Sequence, residues 1–73
     1  MRTNVNLLKS KLAALGYTGF TTAIALILDI SYGAASAKLN NKSEFRQSEM
    51  SLIALKLGLN GDELKEIFVD GVE

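Results

Sequence analysis

The chain contains neither cysteine nor histidine among its 73 residues. It therefore has no disulfide, thiolate or imidazole that could staple a small fold or form a zinc site. A domain of this length buries only about 60% of its unfolded surface. Helix packing, with or without dimerisation, has to supply its stability. The same absence removes the commonest general acid–base group, so we expect neither an enzyme nor a bound metal or cofactor.

Composition predicts one folded domain over residues 1–73. Apolar residues make up 48% of the chain and the formal net charge is zero, which excludes intrinsic disorder. The longest apolar run, residues 23–28, is far shorter than the roughly 20 residues of a membrane span. The N-terminal residues have no apolar stretch of signal-peptide length behind them. We therefore predict a cytoplasmic protein with no membrane partner and no small-molecule substrate.

The spacing of apolar residues predicts an all-α fold of five helices: about 4–15, from the turn at 17–22 to about 28, 32–39, 47–57, and a last helix after Asn60. Gly16 and Gly58 are positioned to end the first and fourth helices. Ser31 is the predicted N-cap of the third helix. Asn60 and Glu63 have the spacing of a capping box.

Two segments allow alternatives. Thr18 or Thr21 is the predicted N-cap of the second helix. The apolar run inside that helix is also compatible with a buried strand, because periodicity does not separate the two. The tail, residues 69–73, fits either a frayed helix or a short strand.

The spacing within residues 21–40 indicates a more specific arrangement of two helices. Two helices of about eight residues flank a tight turn that contains Ile30. Ala25 is small where the helices must approach, and Ala35 and Leu39 lie on the inner face of the second of them. A rigid pair of this kind is what a helix-turn-helix needs to project its second helix into the DNA major groove.

The segment that resembles a known family is Ile24-Ala25-x-x-Leu28-x-Ile30-Ser31-Tyr32-Gly33-x-Ala35-Ser36-x-Lys38-Leu39-Asn40. It resembles the helix-turn-helix of small phage Cro/repressor-type regulators of the lambda-repressor-like superfamily. The continuations Lys42-Ser43-Glu44-Phe45-x-Gln47-Ser48-Glu49 and Leu57-x-Leu59-x-x-x-Glu63 extend the likeness over about residues 7–68. The resemblance implies a five-helix lambda-repressor-like domain, a double-stranded DNA operator and a homodimer.

The chain departs from that pattern by four substitutions and by Gly19 and Phe20, which look like extra residues before the second helix. Asp29 occupies the usual glycine of the turn, and Asn41 follows Asn40 where glycine is common. Thr21 replaces the glutamine that often opens the second helix, and Ala37 replaces an arginine in the recognition helix. Asp and Asn tolerate the left-handed backbone region, so the first two changes are mild.

If the third helix reads DNA, five residues are candidates for base contacts: Ser31, Tyr32, Gly33, Ser36 and Asn40. Asn can bond an adenine edge, Ser either edge, and Tyr can contact a thymine methyl. The alternative is that Ser31 only caps the helix, Asn40 only ends it, and Tyr32 is an ordinary surface aromatic residue.

The candidates for phosphate contacts are Thr18, Thr21, Lys38, Lys42 and Arg46. Lys38, Lys42 and Arg46 cluster at the end of the third helix and in the next loop, where basic side chains can bind the DNA backbone. Thr18 and Thr21 could donate hydrogen bonds to a phosphate, together with the free backbone N–H groups at the start of the second helix. The alternatives are a solvated charged face and simple helix caps.

Two apolar groups are candidate dimer surfaces: Leu26 and Ile27, and Ile67, Phe68 and Val69. The alternative for Leu26 and Ile27 is additional core contact.

The leading hypothesis is a phage or prophage transcriptional regulator that binds operator DNA as a homodimer. The alternative is a protein-interaction module, antirepressor-like or an assembly partner, on a helix-turn-helix scaffold that has lost DNA reading. The neutral total charge does not exclude DNA. Residues 1–61 carry seven basic and three acidic residues, a net of +4, and residues 62–73 carry a net of −4.

Overall fold

The computed structural model describes residues 3–68, which form five helices and no strand. The helices are α1 (Val5–Ala14), α2 (Phe20–Leu28), α3 (Tyr32–Leu39), α4 (Gln47–Leu57) and α5 (Gly61–Phe68). The all-α prediction is confirmed, and α3 and α4 have the predicted bounds. The strand alternative for the apolar run in α2 is wrong. Residues 69–73, with their predicted frayed helix or strand, lie outside the described residues.

Local hydrogen bonds explain several of these boundaries. Ser31 Oγ accepts the backbone N–H of Ala34 at 3.1 Å and caps α3. At the start of α5, Asn60 Oδ1 accepts the Glu63 N–H at 2.8 Å, and Glu63 Oε1 accepts the Asn60 N–H at 3.0 Å. This reciprocal pair is the predicted capping box. Gly58 ends α4 in the left-handed conformation, with φ of 67°.

The predicted cap of α2 is wrong. Its N-cap is Gly19, which makes no side-chain cap hydrogen bond. Thr21 lies inside the first turn of the helix and Thr18 lies before the cap, so neither occupies the capping position. Burial on one side of α2, through Ala23 and Ile24, holds this helix in place instead.

One hydrophobic core joins all five helices. Its fully buried large side chains are Leu8, Leu12, Ile24, Ile53, Ile67 and Phe68. α2 packs against both α3 and α4, and α1 packs against α5. The helices have only 8–11 residues each, a length at which an isolated helix is marginal in water. Their stability therefore depends on this shared core.

A polar contact fastens α1 to α5. Lys11 Nζ lies 2.6 Å from Glu63 Oε2, and both side chains are partly exposed. The ammonium of Lys11, followed by the N–H of Asn60, holds the pKa of Glu63 below its ordinary value. The two residues are 52 positions apart in the sequence, so this link between α1 and α5 forms only in the folded chain.

The turn between α2 and α3 has three residues, and the two helices are bent by 114° at it. Asp29 takes the left-handed conformation there, with φ of 57°. Within residues 3–68, no single helix is long and apolar enough to cross a bilayer. α2 and α3 meet the length and composition test only as this bent pair.

Gly58→Ala should destabilise the protein by about 1 kcal/mol, because an L side chain is strained in the left-handed region. Open space surrounds the glycine, so no clash adds to this cost. Gly61→Ala is the matched control, since it too has open space but lies at the start of α5 without positive φ. Its stability should stay within about 0.5 kcal/mol of wild type. Urea unfolding followed by circular dichroism measures both, and equal losses would contradict the strain argument.

Candidate nucleic-acid interface

The first turn of α3 projects into solvent. Tyr32, its first residue, has 64% of its surface exposed. Ser31 and Gly33 beside it are exposed as well, and a Cβ at Gly33 would meet nothing within 4 Å. No acidic residue lies in this turn. An aromatic ring, a hydroxyl and open backbone therefore stand together at the positive end of a helix dipole.

The other two candidate base-contact residues lie further along α3 and interact with each other. Asn40 Nδ2 donates to the backbone oxygen of Ser36 at 2.9 Å and to its Oγ at 3.3 Å. Asn40 is exposed and Ser36 is half-buried. The structure thus gives Asn40 a helix-ending role and Ser31 a capping role, as the alternative interpretation expected, while both side chains stay accessible.

Four of the five candidate phosphate-contact residues are accessible. Lys42 and Arg46 are exposed in the segment between α3 and α4. Thr18 is exposed and Thr21 is half-buried near the start of α2. Because Gly19 offers no side-chain cap, no side chain of the described residues satisfies the first N–H groups of α2.

Lys38 is a correction to the predicted phosphate group. Its residue is only 8% exposed, and its ammonium points into the protein. Nζ donates to the Glu44 backbone oxygen at 2.9 Å and lies 3.0 Å from Glu49 Oε1. The Phe45 ring centroid is 5.7 Å away. These internal partners occupy the charge, so Lys38 is not available to a phosphate.

The sequence contained a signal for this placement. Lys38 follows Ala35 by three residues and precedes Leu39, so all three lie on one face of α3. Ala35 and Leu39 belong to the core. A lysine on a buried helical face needs an acidic partner, and Glu49 is the residue that the fold supplies.

Glu49 sits at the centre of the same cluster. Its Oε1 accepts the Arg46 backbone N–H at 2.8 Å in addition to the contact with Lys38. Partial burial raises the pKa of Glu49, but the Arg46 hydrogen bond and the Lys38 ammonium outweigh burial and leave that pKa lowered. Within residues 3–68, no group of three or more acidic side chains could hold a metal ion.

The residues predicted to form a dimer surface differ in their burial. Leu26 is 77% exposed, whereas Ile27 is half-buried against the core. Ile67 and Phe68 are fully buried, and the Phe68 ring packs edge-on against Phe45 with centroids 5.2 Å apart. They are therefore core residues and not a surface. Val69 lies outside the described residues.

The sequence pattern did not predict the exposure of three leucines, Leu15, Leu52 and Leu55. Leu55 is 77% exposed because it lies off the stripe of α4 that faces the core. It borders an open groove of about 560 Å³ between α4 and α5, where Leu59 and Leu64 also lie and no charged residue does. Leu26 borders a second, smaller depression of about 420 Å³ near the turn before α2.

The lowered pKa of Glu49 predicts acid sensitivity. A carboxylate with a depressed pKa stabilises the fold at neutral pH, and this contribution is lost as the pH falls through that lowered value. Glu49→Gln should therefore be less stable than wild type at pH 7. The difference in stability should narrow as the pH falls toward about 3, which is below the ordinary pKa of a carboxyl group.

Glu66→Gln, on the exposed face of α5, is the control and should show a much smaller gap. Thermal unfolding across a pH series measures these differences. A Glu49→Gln gap that does not change with pH would contradict the ion-pair explanation.

Comparison of the chain with protein-family models, with curated proteins and with solved structures gives no match.

Proposed function

We propose that this protein is a sequence-specific regulator of transcription of the phage or prophage type that binds double-stranded DNA. In this proposal α3 is the recognition helix. The observation that carries it is the exposed first turn of α3, with Tyr32 outermost, held at an angle to α2 across a short turn.

The geometry of α2 and α3 supports the proposal. Helix-turn-helix units join two helices at about 90–120° through three or four residues. The bend of 114° and the three-residue turn fall within those limits. We accordingly propose that the five-helix, all-α domain is lambda-repressor-like, with its helix-turn-helix at about residues 21–40.

The exposed residues of α3 and the half-buried Ser36 fit the chemistry of base recognition. The Tyr32 ring is suited to apolar contact with a thymine methyl, and the hydroxyls of Ser31 and Ser36 can bond either kind of base edge. Asn40 has an amide that suits an adenine edge. Gly33 adds no side chain that would keep the backbone away from the groove.

Phosphate binding would come from both sides of this helix. Lys42 and Arg46 are exposed after α3. Before it, the uncapped N–H groups of α2 form a site of the kind that binds anions, with Thr18 and Thr21 nearby. Such contacts set the register of a protein on DNA while the bases set its specificity.

A homodimer acting in the cytoplasm completes the proposal. The described chain measures 28 × 25 × 20 Å. Half-sites of helix-turn-helix dimers lie about 34–36 Å apart, so two copies fit side by side, one on each half-site. Of the predicted dimer residues described, Leu26 is the one that is widely exposed.

A protein-interaction module is the second candidate, and a specific observation favours it. Leu26 and Leu55 are each 77% exposed beside shallow depressions. Thr21 and Ala37 stand where the resemblance expects a glutamine and an arginine. A stable complex with another protein, together with no protection of any DNA, would favour this candidate.

The first test measures DNA binding by fluorescence anisotropy on duplexes selected from a random pool. The logarithm of the affinity should fall linearly with the logarithm of salt, by about 0.9 per phosphate contact. Lys42→Ala should weaken selected and scrambled duplexes alike and reduce that slope by about 0.9. Tyr32→Ala should cost about 1–3 kcal/mol on the selected duplex only.

Lys65→Ala is the matched control, because this lysine is exposed on α5. It should leave both affinity and slope unchanged. No binding near about 50 mM salt, or binding that ignores salt, would overturn the proposed function.

A further inference from the structure

The buried ammonium of Lys38 joins α3 to the segment that leads into α4. Its partners, the Glu44 backbone oxygen at 2.9 Å, Glu49 Oε1 at 3.0 Å and the Phe45 ring, all belong to residues 44–49. One side chain therefore contacts the end of the loop and the first turn of the next helix. The side chains of Lys38 and Glu49 are only 10% and 14% exposed.

The beginning of the same loop is fastened separately. The backbone N–H groups of Lys42 and Ser43 donate to the Ala37 oxygen at 2.9 and 3.3 Å. Asn41 takes the left-handed conformation that lets the chain turn back, with φ of 58°. Lys42 and Arg46 are the exposed basic residues of the proposed interface. The hydrogen bonds to Ala37 fix the start of their segment, and the contacts of Lys38 fix its end.

Stability alone does not account for a lysine at this position. Ala35 and Leu39 beside it on the helix face are apolar core residues. Burying an ammonium carries a desolvation cost that an apolar side chain of similar length avoids. What the ammonium adds is a joint contact, because it donates to the Glu44 carbonyl oxygen and pairs with the Glu49 carboxylate at the same time.

We propose that Lys38 is a positioning residue for DNA binding: without touching DNA, it holds the 42–46 segment so that Lys42 and Arg46 meet the backbone together. This inference rests on the proposed function. Its physical basis is preorganisation, since a loop that is already ordered loses less conformational entropy when its side chains bind.

Lys38→Met tests this, because it keeps the length of the side chain and removes the charge; Lys65→Met is the control on an exposed lysine. In the free protein, ¹⁵N heteronuclear NOE values should fall at residues 41–46 in Lys38→Met and stay unchanged in the control. With DNA, the salt slope should drop by about 1.8, which corresponds to two lost phosphate contacts. Adding Lys38→Met to Lys42→Ala/Arg46→Ala should change the affinity no further.

Three results would overturn the inference. The first is a salt slope that drops by only about 0.9, with a further loss of affinity when Lys38→Met is added to the double variant. This result would mean that Lys38 itself binds a phosphate. A lowered Tm with unchanged NOE values and unchanged affinity would mean a purely structural role. Unchanged values in all three measurements would mean no role.

If Lys38→Met does not fold, Glu49→Gln replaces it. This variant removes one partner of the ammonium and leaves the Glu44 carbonyl. It should give smaller changes of the same direction, and no change would overturn the inference. The NOE measurement needs no DNA. If the wild type binds no DNA, the proposed function is overturned and this inference with it. If the wild type binds DNA and the variant has the same NOE values and the same affinity, the inference alone is overturned.

Discussion

The packing of α2 against α3 is the constraint on which the rest of the structure depends. Neither helix has enough residues to be stable alone, and only three residues connect them. Ile24 and Ala35 are completely buried where the core draws these helices together. Their 114° bend directs the first turn of α3 outward, and every feature of the candidate interface is placed relative to that turn.

Contacts between other pairs of helices place the charges. The acidic C-terminal part of the chain includes α5, whose Glu63 pairs with Lys11 on α1. Lys38 and Glu49 neutralise each other inside the protein. Lys42 and Arg46 remain on the surface after α3. A total charge of zero therefore coexists with a basic segment beside the proposed recognition helix, and affinity from so few bases should be modest and salt-sensitive.

The sequence predicted the features that depend on neighbouring residues. Ser31 and Gly58 mark helix ends through local hydrogen bonds and backbone conformation, so the bounds of α3 and α4 could be predicted. The cap of α2 could not, because its tertiary packing starts the helix at Phe20 without help from a side chain.

The candidate site was predictable only where exposure follows from helical spacing. Tyr32 is exposed as expected, but the inward direction of Lys38 depends on Glu49, eleven residues later in the sequence. Phe68 was predicted at a surface, yet it is buried, because the Phe45 ring from a distant loop covers it. Contacts of this kind exist only once the chain has folded.

In the proposed complex, the first turn of α3 and residues 42–46 face DNA. The most direct measurement is a titration of ¹⁵N-labelled protein with a selected duplex, followed by amide chemical shifts. The largest changes are expected at residues 31–36 and 42–46, and the groove between α4 and α5 around Leu55 should be unaffected. Changes confined to that groove, or no changes at all, would contradict the proposed complex.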